Sequence, residues 1–298
     1  MDNELENQKE NKTISTIRVI LKLMRIRNCT IAFFGVIVGA LLVSSPQETE
    51  FIKVFTAALT AAIITGGGNT LNDYFDINVD KINKPKRPIP AGKIQKSDAL
   101  MLAIGLLFIG LGLAKTINKY CLAIALVNAI MLVIYAAYSK RMLFISNLGV
   151  SYLVASIFIF GALATISPGE TIDVQKIRIA TVITGCAFLM TLAREIIKDI
   201  EDVEGDTKLY SKTLPIVIGP AKSRNVAALF AITGILLSLT PIIYKFTTLH
   251  LPVYGILIGI TDLAFIAALT MSAPLAQRIM VFGMLSSLLA FFLGRMYA

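Results

Sequence analysis

One histidine, three cysteines and charged residues at only 16% of 298 positions leave several kinds of chemistry without material. A lone His250 cannot build a histidine-based metal site or a Ser-His-Asp triad. Cys29, Cys121 and Cys186 lie in or beside apolar runs with no metal-ligand spacing, so they read as small core residues. Residues 1–16 are hydrophilic and lack the apolar stretch of a cleavable signal peptide. The shortage of charge accompanies 56% apolar residues and a mean hydropathy of +0.74, the profile of an integral membrane protein. The net charge of +9 would suit nucleic acid, but the hydropathy argues against that partner, and loop charges set by membrane topology explain it better.

What the chain has in quantity is long apolar runs. Residues 1–13 are expected to be a disordered polar tail. From Ile14 to Arg27, Ile17, Ile20, Leu21 and Met24 recur at helical spacing opposite Arg18, Lys22 and Arg25, as in an amphipathic helix on the membrane surface or in a basic lead-in to the first span. Membrane spans are expected near 28–45, 52–72, 99–116, 120–138, 146–164, 179–197, 224–243, 252–271 and 278–296. The expected architecture is therefore all-α: a polytopic membrane bundle of about nine helices in a single domain, 14–298. A weak pseudo-repeat is suggested by the matching places of the acidic motifs in 28–138 and 146–271. With nine spans, 21 of the 28 Lys and Arg residues fall on the side of the N-terminus, which the positive-inside rule places in the cytoplasm.

Carboxylates are few but clustered: two stretches hold nine of the nineteen. In the first, Asn72, Asp76 and Asp80 are four residues apart and form one stripe on a helix. In the second, Glu195, Asp199, Asp202 and Asp206 step by four, three and four, again one face. One motif ends the second span and the other the sixth, so topology carries both to the same membrane face. Acids at such density repel unless cations lie among them. Before the first stripe stands Gly66-Gly67-Gly68, which would let a neighbouring helix approach or unwind its own. After it comes a segment with Pro85, Pro88 and Pro90, read as an ordered cytoplasmic loop with nothing apolar to bury. Its Lys and Arg residues follow directly on the acids, an order that suits a polyphosphate bridged by Mg2+ to carboxylates, with Arg or Lys on the remaining oxygens. The plainer reading, solvated charges at helix ends, weakens when two such stripes share one face.

Asn72-x-x-x-Asp76-x-x-x-Asp80 and Lys198-Asp199-x-x-Asp202-x-x-Gly205-Asp206 resemble the two aspartate-rich signatures of the UbiA superfamily of intramembrane prenyltransferases. The Arg87-Pro88-Ile-Pro90-x-Gly92 loop is similar to that family's segment after its first motif, and the resemblance runs from Met24 to about Ala298. The opening of the first span, Arg25-Ile-Arg27-Asn28-Cys29, is similar to archaeal members that make ether lipids. Those move geranylgeranyl from its diphosphate to geranylgeranylglyceryl phosphate. The resemblance implies Mg2+ held by Asn72, Asp76, Asp80, Asp199, Asp202 and Asp206, which are also the catalytic set, under a cytoplasmic cap over the mouth of the site. It makes Arg87, Lys140 and Lys198 candidates for the diphosphate. Lys22, Arg25, Arg27 and Asn28 are candidates for the acceptor's phosphate at the lipid surface, where attraction to anionic membrane lipids is the bland alternative. Tyr74, Phe75, Tyr135 and Tyr138 are aromatics that would face an allylic cation or simply pack. Relatives often place a Tyr four residues before a Lys after span four; here Tyr135 and Tyr138 stand five and two before Lys140, which leaves their roles open.

Competing readings remain. Within the class, the acceptor could be an aromatic quinone precursor. From another class, the acids could line a divalent-cation transport path, which predicts carboxylates through the bilayer depth, whereas only Asp262 is deep. Asp262 is expected to face the bundle and pair with a polar neighbour. A CDP-alcohol phosphotransferase would need an Asp-Gly and Ala-Arg pattern around paired aspartates, which is missing. Nothing in the sequence points to a protein partner.

Overall fold

The computed structural model describes residues 16–44, 50–138, 144–167, 169–208 and 213–298, apart from the side chains of Tyr138, Lys176, Asp206 and Lys208. The tail over 1–13 and Lys140 lie outside the described residues. Every described regular element is an α-helix. In order they are α1 (Thr16–Met24), α2 (Ile26–Leu41), α3 (Phe51–Phe75), α4 (Ile77–Asn83), α5 (Lys96–Ile117), α6 (Lys119–Tyr138), α7 (Ile145–Ala164), α8 (Val174–Lys208), α9 (Leu214–Ile218), α10 (Pro220–Ser238), α11 (Thr240–Ile243), α12 (Leu251–Thr270) and α13 (Ala273–Met296). Among the described residues eight helices are long and apolar enough to cross a membrane, or nine when the bent pair α1 and α2 is counted. This matches the span count read from the sequence. Their outward faces carry large apolar side chains such as Phe34, Phe108, Leu229, Leu263 and Phe282, which water would not tolerate and lipid does.

The chain divides into two compact units: Thr56–Ala137 with the described residues up to Phe34, and Gly35–Phe55 with Tyr138–Ala298. In the first unit α1 meets α2 at a bend of 58°, with Arg25 at the corner in the left-handed region, φ 52°. Val19 and Leu23 turn inward onto Ile89 and Ala99, while Ile17 and Leu21 of the expected apolar stripe stay exposed. The proline segment is ordered by turn bonds such as Ala91 N to Arg87 O at 2.9 Å. It does bury apolar groups, contrary to the expectation: Pro88 and Ile89 are both inside. Gly66, Gly67 and Gly68 lie within an unbroken helix and serve close approach rather than unwinding. A Cβ there would meet Met24 at 2.6 Å, Leu107 at 3.1 Å and Leu132 at 2.5 Å respectively.

In the second unit α8 packs on α7, α10 and α13. With 35 residues it is ~52 Å long at 1.5 Å per residue, so it overruns the ~30 Å apolar layer, and its acidic motif occupies the overrun. Gly39 of α2 and Gly161 of α7 bring two backbones into contact, since a Cβ on either would stand 2.1 Å from Phe158 O or 2.0 Å from Val36 O. Asp262 is buried on α12 and accepts a hydrogen bond from the Ser238 hydroxyl at 3.0 Å, the polar pairing expected of an acid at that depth.

Candidate active site

The first acidic motif spans a helix junction. α3 stops at Phe75 and α4 starts at Ile77, but the i to i−4 ladder is kept through the join: Asp76 N donates to Asn72 O at 2.9 Å and Asp80 N to Asp76 O at 2.8 Å. The stripe Asn72, Asp76, Asp80 therefore survives the break. Asn72 Nδ2 donates to Asp76 Oδ2 at 3.0 Å, which turns the amide oxygen and the carboxylate of adjacent turns to the same side.

One residue round the helix, Asp73 points elsewhere and is the hub of this half. Its side chain is 3% exposed and accepts from Arg25 Nη2 at 2.7 Å and Arg87 Nη1 at 3.0 Å. Arg87 Nη1 also donates to Asp80 Oδ2 at 2.5 Å. One chain of charge-assisted bonds thus ties the α1–α2 corner, the end of α3, α4 and the proline loop. A left-handed φ costs a non-glycine residue about 1 kcal/mol. At Arg25 the Asp73 bond and two further contacts offset it: Asn69 Nδ2 and Cys29 Sγ donate to Met24 O, the carbonyl the bend sets free, at 2.9 and 3.2 Å. Breaking one partner of a buried ion pair typically costs 3–5 kcal/mol, so the arrangement is stiff. Lys22 and Arg27 are exposed beside this corner and Asn28 is half-buried; none of the three touches Asp73. Tyr74 carries Lys96 Nζ over its ring at 4.4 Å and meets Phe75 edge-on.

The second motif lies on α8. Asp199 Oδ2 accepts from Asn147 Nδ2 at 2.7 Å, and Asn147 is buried at the first turn of α7. Glu195 accepts from Arg194 Nη1 at 2.6 Å and Lys198 Nζ at 3.4 Å, so this member of the acidic stripe is matched by cations of its own helix. Lys198 and Asp202 share a cleft of about 270 Å³ with Glu201, Pro274, Gln277 and Arg278. In it Gln277 donates to Glu201. Asp206 sits on the last turns of the same helix.

Among the described residues no three of His, Cys, Asp or Glu converge in a group able to cage a metal on their own. Mg2+ keeps several waters and is commonly held by one or two carboxylates together with substrate phosphates. The donors at hand are all oxygen: the Asn72 amide and the carboxylates of the two motifs. Sequence reasoning picked those donors but passed over Asp73, Asn147, Gln277 and Arg278. Asp73 was visible as an extra acid off the stripe, and Asn147 as a polar residue opening an apolar run.

Helices long and apolar enough to cross a membrane, two of which end in acidic and basic side chains, make this a multi-pass membrane protein with its charge gathered at helix ends. The chain belongs to the UbiA prenyltransferase family, whose profile matches residues 32–288. It is 40% identical over 282 residues to the digeranylgeranylglyceryl phosphate synthase of Methanopyrus kandleri, covering 92% of this chain and 98% of that one. A solved structure described as giving insights into digeranylgeranylglyceryl phosphate synthase in membranes superposes with a TM-score of 0.82 at 34% identity, over 95% of this chain and 99% of the other. The fold also matches a UbiA homolog from Archaeoglobus fulgidus bound to DMAPP and Mg2+, with a TM-score of 0.62 at 17% identity over 91% and 98% of the two chains.

Proposed function

We infer that this enzyme transfers geranylgeranyl from geranylgeranyl diphosphate to geranylgeranylglyceryl phosphate, forming the second ether bond of an archaeal membrane lipid. The observation that carries the reading is the 40% identity to a synthase of that name across nearly the full length of both chains. In the reaction the allylic C–O bond breaks and its electron pair leaves with diphosphate. The acceptor's hydroxyl oxygen then bonds to the allylic carbon and gives up its proton.

The two stripes supply the carboxylates for a Mg2+-bound diphosphate: Asn72, Asp76 and Asp80 from one, Asp199, Asp202 and Asp206 from the other. When bound, Mg2+ supplies charge neutralisation that makes diphosphate a better leaving group. The chain's own groups do the rest. Asn72 orients Asp76, and Asn147 orients Asp199, each through the hydrogen bond it donates. Arg87, Lys140 and Lys198 take the remaining diphosphate oxygens, and Lys22, Arg25, Arg27 and Asn28 take the acceptor's phosphate. The N-terminus and both motifs face the cytoplasm in this reading, which the excess of Lys and Arg on that side supports.

The test is direct. Purified protein in detergent is given radiolabelled geranylgeranyl diphosphate with Mg2+ and either geranylgeranylglyceryl phosphate or an aromatic quinone precursor. Labelled doubly prenylated glycerol phosphate is expected with the first acceptor only, and none with EDTA. Transfer to the aromatic acceptor alone would overturn the assignment. Divalent-cation flux in proteoliposomes free of diphosphate would favour transport.

A further inference from the structure

We propose that Asp73 is a positioning residue that holds two phosphate-binding guanidinia, Arg25 and Arg87, at a fixed separation for the anionic substrates. This rests on the reading above, in which those two arginines meet substrate phosphates. The carboxylate is almost fully buried, yet its partners come from 48 and 14 residues away, on separate elements. Each guanidinium offers it a single terminal nitrogen: Nη2 of Arg25 at 2.7 Å and Nη1 of Arg87 at 3.0 Å. Among the described residues the other nitrogens of both side chains make no hydrogen bond, and none of them is a buried orphan. A guanidinium carries five donors in a fixed plane. Pinned by one corner, it keeps a donor edge to present to a phosphate oxygen.

The backbone is arranged to serve the same contact. Arg25 adopts a left-handed φ of 52° at the 58° corner between α1 and α2, a conformation uncommon for a long side chain. Arg87 is delivered by the ordered proline loop, whose Gly92 takes φ 67° to close the turn. Two independent segments thus converge on one acid. Arg87 Nη1 also donates to Asp80 Oδ2, so two acids face two cations, and the edge of each guanidinium away from those acids is the one left to a phosphate. Asp73 lies off the Asn72, Asp76, Asp80 stripe and so acts through the arginines.

The experiment compares Asp73→Asn and Asp73→Glu with the natural full-length chain in detergent. Asn removes the charge at constant size, and Glu keeps the charge but moves the carboxylate by one methylene. KM for both substrates, kcat, melting temperature and the thermal shift given by Mg2+ with inorganic pyrophosphate are measured. Asp73→Asn is expected to raise both KM values about tenfold, the order of one charge-assisted hydrogen bond, with a smaller change in kcat. It should also weaken the pyrophosphate shift by a similar factor. Asp73→Glu is expected to fold and to fall between Asn and the natural residue. Natural KM values and pyrophosphate response in Asp73→Glu overturn the proposal, as does a loss confined to melting temperature in Asp73→Asn. If the natural protein transfers no prenyl group, the functional reading fails, and the pyrophosphate comparison still decides the role of Asp73.

Discussion

The same substitution, Gly to Ala, should have opposite effects at two places in this protein. At Gly39 the added Cβ would lie 2.1 Å from Phe158 O, and at Gly161 it would lie 2.0 Å from Val36 O, with ordinary contact starting at 3.4 Å. The obstacle is backbone, which cannot rotate away, so α2 and α7 must part by more than 1 Å. A radial gap of 0.5–1 Å already forfeits a quarter to a half of each dispersion contact along the seam. The cost belongs at the upper end of overpacking, about 3 kcal/mol. For a chain of this size that is a fall in melting temperature of roughly 6 °C. At Gly105, on α5, nothing lies within 4 Å of the new methyl. There, removing a flexible helical glycine should stabilise by about 0.5 kcal/mol, or roughly 1 °C. The chain has no tryptophan for intrinsic fluorescence, but Cys29, Cys121 and Cys186 are all buried thiols. A thiol-reactive fluorogenic dye in a heating ramp therefore reports unfolding. Gly39→Ala melting at or above the natural protein, or Gly105→Ala falling as far as Gly39→Ala, would refute the reasoning.

Asp76→Ala and Asp202→Ala are expected to abolish prenyl transfer while the protein still inserts and melts near its natural temperature; full turnover in either removes its assigned role. Asn147→Ala removes the donor to Asp199 and should lower activity about tenfold at limiting Mg2+, the scale of one lost hydrogen bond to a charged group, recovering as Mg2+ is raised; a Mg2+ titration of activity reads this out. Arg224→Ala removes Nη1 contacts to Leu269 O and Met271 O at the end of α12, at 3.1 and 2.7 Å, and should cost about 2 kcal/mol, or roughly 4 °C, with KM unchanged.

The spans were legible because lipid enforces apolar composition over a set length. Each expected run lies within or close to a helix, and the largest error is at the sixth, placed at 179–197 where the helix runs Val174–Lys208. That end was missed because the charged motif broke the hydropathy signal without breaking the helix. The stripes were legible because residues four apart share a helical face, and Asn72 does bond Asp76. What the pattern could not disclose is which residues from distant segments meet. Arg25 and Asp73 are 48 apart, Asn147 and Asp199 are 52 apart, and neither pairing leaves a mark on local periodicity. The burial of Ile89 was hidden for the same reason: α1, which covers it, is more than sixty residues upstream.

The corner at Arg25 also links three charged groups. α1 keeps Ile17 and Leu21 exposed, and α2 leaves the same corner at 58°. Arg25 stands on that corner, and Asp73 and Arg87 are tied to it. A change in the angle of that corner would therefore be felt at the acid and at both guanidinium groups together, because the three are bonded into one piece.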